Sequence, residues 1–248
     1  MITALKQRLK KFFRHHGIHV QQVMRESDSY GLVTPIASYS PWKCDKPFQK
    51  VYQRIKEHTL VDLYRCYELW KLVEQSAKLE KGSLIEIGVW RGGSAALISA
   101  MAKHCAIQDP LYLCDTFTGV VKANEKDANY VGGEHADTSQ DIVESLFRSL
   151  DLNNATILQG VFPDQTGSRI VSGEMFRFCH IDVDVYQSAK DITEWVWPKL
   201  VPGGLVVFDD YGAQSTGGVT RYVNELVTQK DCLFIHNLNG HGILVKTR

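Results

Sequence analysis

From Ser83 onward, short apolar runs alternate with amphipathic stretches, and this alternation decides the fold class. The runs "SLIEIG" (83–88), "LYLCD" (111–115), "TILQG" (156–160), "RFCHID" (177–182) and "GLVVFDD" (204–210) read as strands. Between them, Gly93 to Lys103, Thr138 to Leu150, Ser188 to Trp197 and Gly217 to Thr228 read as helices. Two last strands are expected near "LFIHNL" and "GILVK". Strands that alternate with helices predict an α/β, Rossmann-like fold, a mostly parallel sheet with helices on both faces. Ligands of such sheets bind outside the carboxyl ends of the strands.

The first 58 residues differ in character. "MITALKQRLKKFFRHHG" has Ile2, Leu5, Leu9 and Phe12 at helical spacing, flanked by basic residues. It suits an amphipathic helix packed on the domain or on a neighbouring subunit, which leaves room for a homo-oligomer. Basic residues interrupt any apolar core, so it is no signal peptide. Residues 27–47 carry Pro35, Pro41 and Pro47 and read as loop. The helical pattern from Thr59 is apolar around most of its circumference, so a helix buried on several sides is expected. This gives an N-terminal helix and loop extension over 1–58 and a main domain over 59–248.

Composition narrows the partners. With 28 basic and 28 acidic residues, no global field recruits nucleic acid. No stretch is long and apolar enough for a transmembrane segment. The six cysteines are scattered without a C-x-x-C pair, which points to free thiols and a cytoplasmic location.

Two strand ends carry acids: Asp182 and Asp184 in "HIDVDVYQSAKD", Asp209 and Asp210 in "LVVFDDYG". Carboxylates on neighbouring strand tips repel unless a cation sits between them. Oxygen ligands with no paired His or Cys suit Mg²⁺. The first strand ends in "EIGVWRGGS" (86–94). A dinucleotide fingerprint places a second glycine where Trp90 stands, and the indole hinders a pyrophosphate. A cofactor without phosphates fits better. Asp115, at the end of the second strand, is placed to take the ribose hydroxyls of an adenosine.

Together, "EIGVWRGGS", "CDTFTG", "HIDVDVYQSAKD" and "LVPGGLVVFDDYG" resemble the macrocin O-methyltransferase family over roughly residues 59 to 230. These are class I, S-adenosylmethionine- and magnesium-dependent enzymes that methylate sugar hydroxyls on natural products. The resemblance implies a seven-stranded sheet with its last strand antiparallel. It implies S-adenosylmethionine against Glu86, Gly88, Trp90, Gly92, Gly93, Ser94 and Asp115. Asp182, Asp209 and Asp210 become metal ligands, which frees Asp184 to act as a base. A hydroxyl-bearing small molecule or glycan becomes the acceptor. The polar segment "YVGGEHADTSQD" (130–141) suits a lid over it, with Glu134 and His135 facing the substrate and His135 the second candidate base. Two rival classes stand beside this reading: a nicotinamide-dependent oxidoreductase, disfavoured by Trp90, and a non-catalytic scaffold, which leaves the four acids without a reason.

Overall fold

In the computed structural model, residues 29–248 are described, apart from 32, 34–36 and 229. The amphipathic segment at the N-terminus therefore lies outside the described residues. The apolar runs become β1 (Ser83–Ile87), β2 (Leu111–Asp115), β3 (Ala155–Gln159), β4 (Phe176–Ile181) and β5 (Leu200–Phe208), followed by β6 (Cys232–His236) and β7 (Gly242–Lys246). They form one seven-stranded sheet in the order β3-β2-β1-β4-β5-β7-β6. The first five strands pair in parallel, and β7 runs antiparallel to both its neighbours.

The helices are α1 (Lys46–Ile55), α2 (Leu63–Ser76), α3 (Gly93–His104), α4 (Gln140–Ser149), α5 (Tyr186–Val196) and α6 (Gly217–Leu226). Side-chain alternation along the strands feeds two cores. Leu84, Leu113 and Phe178 face one with Trp70, Leu97 and Phe147 of the helices. Ile85, Cys179 and Val206 face the other with Ile192 and Val223. Both faces of the sheet are thus covered, as parallel strands require.

Helix α1 lies in a stretch with no predicted element. Asp45 caps it, accepting from Phe48 N at 3.0 Å, and Pro47 sits in its first turn. Phe48 packs edge-on against Tyr67 and Trp70, with ring centroids 4.9 and 5.9 Å apart. Residues 39–58 therefore belong to the compact unit Tyr39–Arg248, and the expected domain start at 59 falls inside it. This packing also explains why α2 is apolar around so much of its surface.

Strand order reverses between β1 and β4, which opens the crevice where α/β sheets take ligands. Register sharpens the point. Ile87 pairs with Ile181, and Ile181 with Phe208, so three strands finish level. Gly88, Asp182 and Asp209 then emerge side by side, and the ladder continues through Asp182 N to Ile87 O (2.9 Å) and Asp209 N to Ile181 O (3.0 Å).

Candidate active site

The turn after β1 is built around Gly88, whose φ is +86°. A Cβ there would run into the carbonyl oxygen of Asp182, so only glycine lets β1 and β4 close to this distance. Trp90 follows in the left-handed region at φ +47°. The Asp115 carboxylate organises this turn. Its Oδ2 accepts from Val89 N (2.6 Å) and Trp90 N (2.8 Å), and its Oδ1 accepts from Phe117 N (2.6 Å). Oδ2 is then saturated, and Oδ1 keeps one free lone pair. The expected grip on two ribose hydroxyls is thus limited to one without rearrangement.

The acids converge as expected, with a different local path. Strand β4 stops at Ile181, and Asp184 takes a left-handed backbone at φ +66°. This turns the amides of Val183 and Asp184 onto Asp210 Oδ2, at 3.2 and 2.8 Å. Asp182, Asp209 and Asp210 each offer an oxygen within 4.8 Å of the others. Tyr130 donates its hydroxyl to Asp184 Oδ1 at 2.6 Å, and His135 Nε2 lies 3.8 Å from Asp184 Oδ2. Asp184 does not cap the helix that follows it. Asp127 does so from a distant loop, accepting from Tyr186 N at 2.9 Å.

One cavity of about 330 Å³ gathers these groups. Gly88, Trp90, Ser94 and Asp115 line it, together with His135, Asp182, Asp184, Asp209 and Asp210. Glu86, Gly92 and Gly93 are not among its walls. Glu86 is fully buried and turned to His180 Nδ1 at 2.8 Å, because β1 side chains alternate and Glu86 shares the face of Leu84. Gly92 lies against Val143, and Gly93 donates its N–H to His58 O at 2.9 Å.

Charge in the site is strongly coupled. Burial raises the Asp182 carboxyl well above its usual range, and Asp209 and Asp210 push it further. Burial and the Asp184 and Asp209 charges do the same for Asp210. Asp184 is also raised, chiefly by burial, with Tyr130 and His135 opposing. Asp209 goes the other way. Burial would raise it, but Arg65 and the two imidazoles of His180 and His241 hold it ionised.

Arg65 is the residue the sequence hid. From α2 it donates to Asp209 Oδ2 and to the Asp209 carbonyl (2.9 Å), while its Nε meets Asp62 Oδ2 at 2.8 Å. The acids thus carry an internal cation before any ion arrives. His241, beside β7, reaches Asp209 Oδ1 at 3.0 Å. Neither residue stands near a recognisable motif; only the packing of α2 and the return of β7 bring them in. Glu134 turns away from the expected role, since its carboxylate accepts from Val131 N and Gly132 N at 2.9 Å each. The 130–141 segment is tied to the glycine turn instead through Trp90 Nε1, which donates to Asp137 Oδ1 at 2.9 Å. Arg221 pairs with Glu225 on an exposed face, 3.5 Å away.

The sequence profile of the macrocin-O-methyltransferase (TylF) family matches residues 47–235. The chain belongs to this family. Among curated relatives, a demethyldecarbamoylnovobiocin O-methyltransferase of Streptomyces niveus is 27% identical over 165 residues. A Streptomyces olivaceus 4'-O-methyltransferase of 8-demethyl-8-(2,3-dimethoxy-alpha-L-rhamnosyl)-tetracenomycin-C is 31% identical over 166 residues. Each alignment covers 62% of this chain and 62% of the relative, so the chain spans under two thirds of their length. The solved O-methyltransferase NovP shares the fold with a TM-score of 0.67 at 24% identity, over 77% of this chain and 83% of that one.

Proposed function

We propose that this macrocin-type chain transfers a methyl group from S-adenosylmethionine to a hydroxyl of a sugar on a glycosylated small molecule, with Mg²⁺ in the acidic cluster. The supporting observation is the convergence, in one cavity, of the Gly88–Trp90 turn and of four aspartates from two strand ends. Family membership and the rhamnosyl acceptor in a relative's name favour a sugar hydroxyl. A cytoplasmic location with reduced thiols belongs to the same reading.

The donor sets fit both groups. Trp90 offers an aromatic wall where a pyrophosphate would need glycine, and Asp115 Oδ1 keeps one acceptor site for a ribose hydroxyl. Asp182 and Asp210, oxygen-only and raised by burial and mutual repulsion, form a site that gains from a hard divalent cation. Bound there, S-adenosylmethionine supplies a methyl already activated on sulfur, and Mg²⁺ supplies charge that acidifies an acceptor hydroxyl.

The protein's own work is orientation and proton transfer. Asp184, held at one oxygen by Tyr130, keeps its other oxygen toward the cavity and His135. Its carboxylate accepts the acceptor's proton. His135 Nε2, 3.8 Å from Asp184 Oδ2, places a second titratable group beside that carboxylate. Trp90, Asp137 and Thr138 hold the 130–141 segment against the glycine turn, which limits water beside the reacting atoms.

The test is mass spectrometry of methyl transfer to a panel of glycosides and their aglycones, with and without EDTA. Transfer to glycosides, lost with EDTA and restored by Mg²⁺, is the expected result. Transfer only to aglycones would refute the sugar assignment, and full activity in EDTA would refute the metal.

A further inference from the structure

A second set of potential ligands lies in the core beside Asp209. His180 on β4 and His241 before β7 aim their Nε2 atoms at Asp209 Oδ1, at 3.7 and 3.0 Å. Both imidazoles are fully buried. Each is held from behind by a carboxylate: His180 Nδ1 lies 2.8 Å from Glu86 Oε1, and His241 Nδ1 lies 2.6 Å from Glu68 Oε2. A carboxylate at Nδ1 orients each ring so that its Nε2 faces Asp209. Two imidazole nitrogens and a carboxylate oxygen then meet within 4.8 Å of one another.

That meeting is incomplete. His180 Nε2 has no hydrogen-bond partner, and 3.7 Å to Asp209 Oδ1 is too long to count as one. Glu86 Oε2, behind the same ring, is also unpartnered and buried. Arg65 serves Asp209 at its other oxygen, Oδ2, and so does not fill the gap. Three carboxylates, Glu68, Glu86 and Asp209, converge on the two rings, and negative charge held in a core needs something positive beside it.

We propose that His180, Asp209 and His241 form a buried site for a divalent first-row transition ion, with Zn²⁺ the best fit. Two imidazoles with one carboxylate suit such an ion better than Mg²⁺, which takes oxygen. Each imidazole has its outer carboxylate, the arrangement that orients histidine ligands on metals. Metal–ligand bonds of about 2.0–2.2 Å place ligand atoms roughly 3.0–3.6 Å apart, and the two observed separations bracket that range closely. Glu68, Glu86, His180 and His241 have no part in the proposed methyl transfer. Only Asp209 is common to both groups, so the inference rests on the imidazole geometry and not on that reading. A proton on one imidazole is the competing occupant.

The full-length chain is refolded with Co²⁺ or Zn²⁺ present, so that access to the core is not limiting, and then dialysed. One ion per chain should remain. Co²⁺ should show the visible absorption of a low-coordinate, nitrogen-bearing site, and zinc-edge X-ray absorption should show imidazole scattering. Asp182→Asn, which breaks the oxygen cluster, should leave both signals in place. Glu68→Gln removes only an outer carboxylate and should weaken retention about 10–100-fold in a chain whose circular dichroism is unchanged. His241→Gln should abolish it. A refolded wild-type chain that retains no ion, or holds it among oxygens alone, overturns the site and leaves the proton as occupant. Loss of the signals in Asp182→Asn overturns it too, by placing the ion among the acids. Methyl transfer that fails in Asp182→Asn while the Co²⁺ bands persist separates this site from the proposed reaction.

Discussion

At the residue scale, Asp184 and Asp115 show how one side-chain type serves two ends. Asp184 holds one oxygen toward the cavity, so Asp184→Asn should lower the methyl-transfer rate about 10²–10⁴-fold, the usual contribution of a general base. Calorimetric affinities for S-adenosylmethionine and Mg²⁺ should stay near wild type. Burial raises the Asp184 carboxyl, and the Tyr130 hydroxyl pulls it partly back. Tyr130→Phe should therefore shift the acid limb of the pH–rate profile upward, and a downward shift would contradict the assignment. Asp115 faces inward on three backbone amides, so its loss reaches beyond a ribose contact. Asp115→Ala should lower cofactor affinity by roughly 1.5–3 kcal/mol, as for hydrogen bonds to a charged group, and should also lower the melting temperature. An affinity loss without any thermal shift would mean the amides find another acceptor.

At the element scale, the strands and most helices were legible because each run has one period and a clear end. Helix α4 starts at Gln140 behind a Ser139 cap, two residues later than its pattern suggests, since Ser139 accepts from Ile142 N at 3.3 Å. Helix α1 was signalled by Asp45 and Pro47, but its proximity to a proline-rich stretch hid it. Helix α5 starts at Tyr186, two residues before its pattern suggests, and its cap does not come from its own sequence. Val185 stands at its N-cap and has no polar side chain to cap with, so the acceptor comes from Asp127, 59 residues before Tyr186. Asp127→Ala should cost about 0.5–2 kcal/mol, the usual price of a lost cap, read as a fall in unfolding midpoint in urea. The acid cluster was readable because strand ends locate carboxylates. Arg65, Glu68 and His241 were not, because their relation to Asp209 exists only after α2 and β7 pack.

At the scale of the whole molecule, the buried acids set how stability follows pH. Asp182 and Asp210 have carboxyls raised by burial and by neighbouring acids. A raised carboxyl favours the folded state while protonated, below the unfolded value of about 3.9, and that preference is lost as pH climbs through the raised value. The metal-free chain should therefore lose stability from about pH 4 upward on their account. Mg²⁺ binding needs both groups ionised, so its stabilisation should grow over the same window. Differential scanning fluorimetry with Mg²⁺ or EDTA checks this: the gap in melting temperature should widen from pH 5 to pH 8. A gap that narrows would place the ion elsewhere.

The order of strands in space differs from their order in time. A chain emerging from the ribosome presents Arg65 first, Asp182 much later, Asp209 after that, and His241 last. The two strands that carry the acids can align as soon as β5 exists, but the imidazole that holds Asp209 arrives only when β7 inserts between β5 and β6. Until then the half-made sheet carries its repelling carboxylates with only Arg65 and His180 to quiet them, and its β5 edge is open. Final closure of that edge and final settling of the site's charge are one event, so a nascent chain stalled short of its last strand would hold both an unpaired edge and an unfinished site.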